Sequence, residues 1–110
     1  MQHKYGEFTE NQMSQTKEYM RKSIFFLLLC VDPNTKYQYQ HIDVNEAFRS
    51  LLYKLGGMSS IFYEPVEIVS IMSLLECARM EYNSSEFNFQ KYRKLILDAG
   101  CEVLKIKDGD

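Results

Sequence analysis

Cys30 and His41 are the one cysteine–histidine pair close together in this chain, and a thiol beside an imidazole is the simplest source of an activated nucleophile. Cys30, however, sits in the apolar run Ile24-Phe25-Phe26-Leu27-Leu28-Leu29-Cys30-Val31. Apolar surroundings raise a thiol's pKa and leave it a poor nucleophile. The other cysteines, Cys77 and Cys101, are far apart, so neither a disulfide framework nor a Cys-x-x-Cys site is visible. All three are expected to be buried free thiols, which favours a reducing compartment. His3 and His41 are the only histidines, and no His/Cys/carboxylate cluster has zinc spacing. Asp32-Pro33-Asn34 starts like a calcium loop but lacks its central Gly and closing Glu. Glu64/Glu67 and Glu76/Glu81 could pair carboxylates for acid–base work, yet such pairs are ordinary on a solvated helix face. Gly56-Gly57 has no phosphate-loop context and reads as a helix stop. No catalytic residue, metal site or cofactor is therefore expected, and the chain is not expected to be an enzyme.

Two groups of residues have the chemistry for binding instead. Tyr37, Tyr39 and His41 alternate with polar residues on a connector, and loops held by a rigid scaffold often carry function. Their rings either project as contact groups or fold down over the body of the protein. Lys91, Arg93, Lys94, Lys105 and Lys107 cluster late in the chain and could contact nucleic acid. Lys94/Asp98 and Glu102/Lys105 have helical ion-pair spacing, however, and a mixed-sign face is usually just solvated.

The background is ordinary. With 110 residues, 45% hydrophobic and 25% charged, the chain fits one globular domain. Thirteen basic against fifteen acidic residues give a net charge of −2, neither a nucleic-acid-binding nor a nucleic-acid-mimicking balance. The apolar run ends at Asp32-Pro33, well short of the roughly 20 residues that span a membrane. No cleavage-site pattern follows it. The expectation is an untargeted cytoplasmic protein without membrane contact. Residues 1–8 and 107–110 are expected to be flexible ends.

Four helices must position these groups. Thr9 and Gln12 have capping-box spacing and Phe8/Met13 staple spacing, so the first helix should run from Thr9 to about Val31. Met20, Ile24, Leu27, Leu28 and Val31 form its core stripe, while Phe25, Phe26 and Leu29 point the other way and leave that end apolar all round. Asp32-Pro33-Asn34-Thr35 is a turn. Lys36–His41, with its alternating pattern, could be briefly extended. Asp43 and Glu46 cap a second helix with the stripe Val44, Ala47, Phe48, Leu51, Leu52, Leu55, ending at Gly56. Residues 57–63 connect, with one short helical turn over 59–62. Glu64-Pro65 opens the third helix, whose stripe is Ile68, Ile71, Met72, Leu75, Ala78, Tyr82. Its other side, with Ser70, Ser73 and Cys77, faces either water or another helix. The fourth helix runs from Glu86 or Phe89 to about Ile106 on Phe89, Tyr92, Ile96, Ala99, Val103 and Ile106. Gly100 within it marks a close crossing or an earlier end.

The fold expected is all-α: a single-domain four-helix bundle with antiparallel neighbours, departing from regularity at the connector between the second and third helices. The function expected is that of a small non-enzymatic protein acting through protein contacts, such as an adaptor, an immunity- or antitoxin-like protein, or an inhibitor. Its partner could be a second copy, held through Phe25, Phe26, Leu29 and the tyrosine loop. A nucleic-acid-associated role for the basic cluster is the alternative.

Overall fold

A computed structural model describes residues 2–3, 6–7, 10–61 and 66–106. Four helices build the molecule: α1 (Glu10–Leu29), α2 (Val44–Ile61), α3 (Val66–Tyr82) and α4 (Phe89–Leu104). Ahead of them, Gln2 pairs with Glu7 and His3 with Gly6 in a two-rung antiparallel ladder, far too short to make a second layer. The expected signals at Phe8, Thr9, Glu64 and Pro65, and the tail 107–110, lie outside the described residues.

Hydrogen bonds between elements fix the relative direction of neighbouring helices. Lys17 in the first half of α1 donates to the Ile106 carbonyl just beyond α4 (2.8 Å), and Tyr92 near the start of α4 meets Leu27 near the end of α1. Asn45 pairs with Asn83 across α2 and the end of α3, and Glu81 meets Asn88 across α3 and α4. Lys54 of α2 reaches Tyr19 of α1. Every neighbouring pair is thus antiparallel, as in an up-and-down bundle. α3 packs along α2 and α4, and α1 along α4. α1 and α2 share the shortest contact, so the fourth seam is parted.

The core lies on the stripes that the periodicity defines. Met20, Ile24, Leu27 and Val31 meet Val44, Phe48, Leu51 and Leu55 of α2, Ile68, Ile71, Leu75 and Ala78 of α3, and Tyr92, Ile96, Ala99, Val103 and Ile106 from α4 and its end. Leu28, Ala47, Leu52, Met72, Tyr82 and Phe89 pack at its edge.

The end of α1 shows how the turn sequence stops a helix. Helical ends leave carbonyls without donors. Here Phe26 takes the Cys30 N–H, Leu28 takes those of Val31 and Asp32, and Leu29 takes the Thr35 hydroxyl at 2.7 Å. The Leu27 carbonyl takes the buried Tyr92 hydroxyl at 2.7 Å. Asp32 closes the turn by accepting from Asn34 N at 2.8 Å. Asp43 caps α2 through Glu46 N (3.2 Å), but the Glu46 carboxylate pairs with Arg49 instead of completing the box. Asn88 caps α4 through Lys91 N, again at 3.2 Å.

Three local expectations are corrected. Lys36–Tyr39 is a 3-10 turn, not extended, with Gln38 N donating to Thr35 O. Aromatic packing sets it, since Tyr39 stands edge-on against Phe26 with ring centroids 5.5 Å apart. This short turn lies between α1 and α2, while residues 59–61, expected to form a helical turn of their own, continue α2. α2 runs through Gly56 and Gly57 to Ile61. Burial of Leu55 and packing of Met58 outweigh the roughly 1 kcal/mol each glycine costs in a helix. Finally, Gly100 is not a close crossing. It is buried inside α4, but a Cβ there would meet nothing within 4 Å. Gly100→Ala is accordingly expected to stabilise the protein by up to about 1 kcal/mol, read as a higher urea midpoint at unchanged slope.

Candidate functional site

The aromatic end of α1 and the loop after it are where contact chemistry was expected, and the fold divides those residues. Phe26 and Tyr39 are brought together and half-buried, so Phe26 is not surplus surface. Phe25 and Leu29, one turn apart, remain on the outside at 37% and 38% exposure. The end of α1 is therefore not enclosed all round. Tyr37 and His41 are exposed, and the Tyr37 hydroxyl accepts from Gln38. One tyrosine of the loop folds down and the other projects.

Beside this ridge runs the parted seam between α1 and α2. It is an open groove of about 390 Å³. Phe26 and Leu27 of α1 and Ala47 and Leu51 of α2 give it an apolar floor, and Lys22 and Lys54 stand at its rim. One bridge crosses it: Lys54 Nζ donates to the Tyr19 hydroxyl at 2.8 Å and lies 5.6 Å from the centre of that ring. The ammonium holds the Tyr19 phenol below its ordinary pKa. Sequence periodicity placed Ala47 and Leu51 on the core stripe, and so gave no sign that the stripe's edge would be open.

A second groove, of about 620 Å³, lies between α2 and α3 and is polar. Its charges are already matched. Glu76 pairs with Arg79, and Arg49 with Glu46. Asn45 and Asn83 exchange hydrogen bonds of 3.1 and 2.7 Å. The Arg79 guanidinium holds the Glu76 carboxyl below its usual range, leaving it ionised and a weak proton donor near neutrality. Glu81 is on the other flank of α3, where it accepts from Asn88 N at 2.9 Å and faces Lys91 at 3.4 Å. The Glu76/Glu81 spacing thus does not gather two carboxylates in one site. Glu64 lies outside the described residues.

No protein-family model, curated protein or solved structure matches this chain.

The remaining candidates divide in the same way. Cys30 is buried, and burial pushes its thiol pKa up. Cys77 and Cys101 are exposed, which corrects the expectation of three buried thiols: both fall on outward faces of their helices. Among the basic residues, Lys91 faces Glu81, Lys94 bonds Asp98 at 2.9 Å and Lys105 bonds Glu102 at 2.8 Å. Arg93 is exposed, and Lys107 lies outside the described residues. A set of carboxylate-matched surface lysines is a weak magnet for phosphate. Among the described residues, no three His, Cys, Asp or Glu side chains gather as metal ligands, and no buried side-chain nitrogen or oxygen lacks a partner. None of the described helices is long and apolar enough to cross a membrane.

The side of α3 that carries Ser73 and Cys77 is more apolar than those two residues alone suggest. The outward face of α3 carries Val66, Val69 and Met80 at 73%, 49% and 63% exposure. Ser73 and Cys77 on the same face are exposed, so among the described residues no helix covers this side of α3. In the sequence this face is marked only by its small residues, which leave open whether it meets water or a helix.

Proposed function

We propose that the chain is a small non-enzymatic helical protein that works by docking a helix of a protein partner into the parted α1–α2 seam. The observation that carries this reading is the seam itself. Its floor is Phe26, Leu27, Ala47 and Leu51, and its rim is Lys22 and Lys54. An amphipathic helix laid in an apolar groove is a recurring recognition mode. Once the Lys54–Tyr19 bridge opens and Lys22 exchanges its Glu18 partner, now at 3.2 Å, an apolar floor between two lysines fits a helix with an apolar stripe flanked by Asp or Glu. Phe25, Leu29 and Tyr37 extend the contact beyond the groove, since Leu29 stands only about 60° around α1 from Phe26.

The experiment is affinity capture from the native host with three baits: the wild-type chain, Lys22→Glu/Lys54→Glu and Lys22→Arg/Lys54→Arg. Both lysines are exposed, so the fold should persist in each, as circular dichroism can verify. Wild type and the arginine variant should retain the same protein, the glutamate variant should lose it, and retention should weaken with salt. Equal capture by the glutamate variant, or nothing captured beyond bare resin, overturns the reading.

A further inference from the structure

The outward line of α3 carries no charge. Val66, Val69, Ser73, Cys77 and Met80 make it up, and the charged residues of the helix stand on its flanks. Glu76 and Arg79 turn toward α2, and Glu81 toward α4. A surface helix ordinarily does the reverse, keeping charge outside and apolar residues inside. Val66, Val69 and Met80 are about half to three-quarters exposed, as residues awaiting a cover would be.

The order of the line says what covers it. Its steps are three, four, four and three residues, an average of 3.5, which is the repeat of a two-helix seam. The steps read the same in both directions about Ser73. Two copies of α3 laid antiparallel, with Ser73 on the two-fold axis, place Val66 opposite Met80, Val69 opposite Cys77 and Ser73 opposite Ser73. Small side chains then meet in the middle, where two crossing helices approach most closely. Large apolar ones meet toward both ends, where the helices diverge. A parallel pair matches worse, with Met80 against Met80 at one end and Val66 against Val66 at the other. We infer that this face is a self-association surface, covered by α3 of a second copy in an antiparallel two-fold contact.

This is an isologous contact, closed at two subunits. It is separate from the α1–α2 seam, so a dimer leaves that groove open. α3 is 17 residues, or about 25 Å, long. One such seam covers less than the ~800 Å² per partner of a standard interface, so the dimer should be weak, with a Kd on the order of micromolar or above.

Residue-specific cross-linking tests the register in the full chain. Cys101→Ser removes the other exposed thiol. On that background, positions 69 and 77 of one helix are eight residues, or about 12 Å, apart, too far for a bridge within a chain. The antiparallel pairing predicts that Val69→Cys gives a disulfide-linked dimer whose peptide map joins position 69 to Cys77. Without the Val69→Cys change, Cys77 should not link to Cys77, because the two lie about 12 Å apart across the axis. In sedimentation equilibrium the unlinked wild type should dimerise reversibly, and Val69→Lys/Met80→Lys, at exposed positions, should weaken that by about tenfold or more. A 69–69 or 77–77 link, a wild type that stays monomeric up to near-millimolar concentration, or a lysine variant that associates like wild type each overturns the inference.

Discussion

Truncating Tyr92 to alanine is expected to bring the bundle to the edge of unfolding at room temperature. Tyr92 is fully buried. Removing a core aromatic costs about 3–5 kcal/mol. Its hydroxyl also satisfies the Leu27 carbonyl at 2.7 Å, and orphaning a buried acceptor costs about 1–3 kcal/mol more. Together these approach the roughly 5–15 kcal/mol that holds a whole domain folded. Tyr92→Phe separates the two contributions, since it keeps the ring and loses only the hydroxyl. It should cost about 1–3 kcal/mol in urea unfolding at unchanged slope. A Tyr92→Phe protein as stable as wild type would show that the Leu27 carbonyl finds another donor.

The same residue gives stability a pH dependence at the alkaline end. Burial, with smaller contributions from Cys30 and Tyr82, pushes the Tyr92 phenol pKa well above its ordinary value of 10.0. The folded state therefore holds this proton more tightly than the unfolded chain does. Its contribution is intact below about pH 10 and is lost as pH rises above it, because only the unfolded phenol ionises readily. Tyr92→Phe should flatten that alkaline decline, and the urea midpoint measured from pH 8 to 11 would show it.

Phe48→Ala should be comparably severe, at about 3–5 kcal/mol. Phe48 is fully buried on α2 and stands edge-on to Tyr92, with centroids 6.3 Å apart. Tyr92 also meets Phe87 at 5.8 Å and Phe89 at 6.5 Å, so it is the hub of an aromatic cluster. The Phe48–Tyr92 pair should show a coupling of about 0.5–1.5 kcal/mol in a double-mutant cycle built with leucine at each position. Strict additivity would mean that the two rings contribute only through the area they bury.

The fold was legible where local chemistry and packing agree. Asp43 sits before a clean stripe, and α2 begins there. The Asp32–Thr35 turn ends α1 through bonds that those residue types predict. Legibility failed where tertiary contacts override local preference. Gly56 looks like a stop, yet Leu55 and Met58 on either side of it are held in the core. Alternating Tyr and Gln over 37–40 look extended, yet Phe26 pulls Tyr39 into a 3-10 turn. The candidate surfaces were only half legible. Periodicity marked Phe25 and Leu29 as facing away from the core, and they do. It could not show that Tyr39 would cover Phe26, because that contact belongs to the loop's path. Nor could it show that the α1–α2 seam stays parted, because helix spacing is set by all four helices together.

The bond between Tyr92 and Leu27 joins residues 65 positions apart. During synthesis, α1 emerges with an open carbonyl beneath its most apolar turn, and the group that fills it follows only 65 residues later. Until then the residues from Ile24 to Val31 lack α4's share of their core and their final donor. A chain interrupted before residue 92 would therefore present its most adhesive segment complete but only partly covered, and be marked for degradation by the very stretch that anchors the finished bundle.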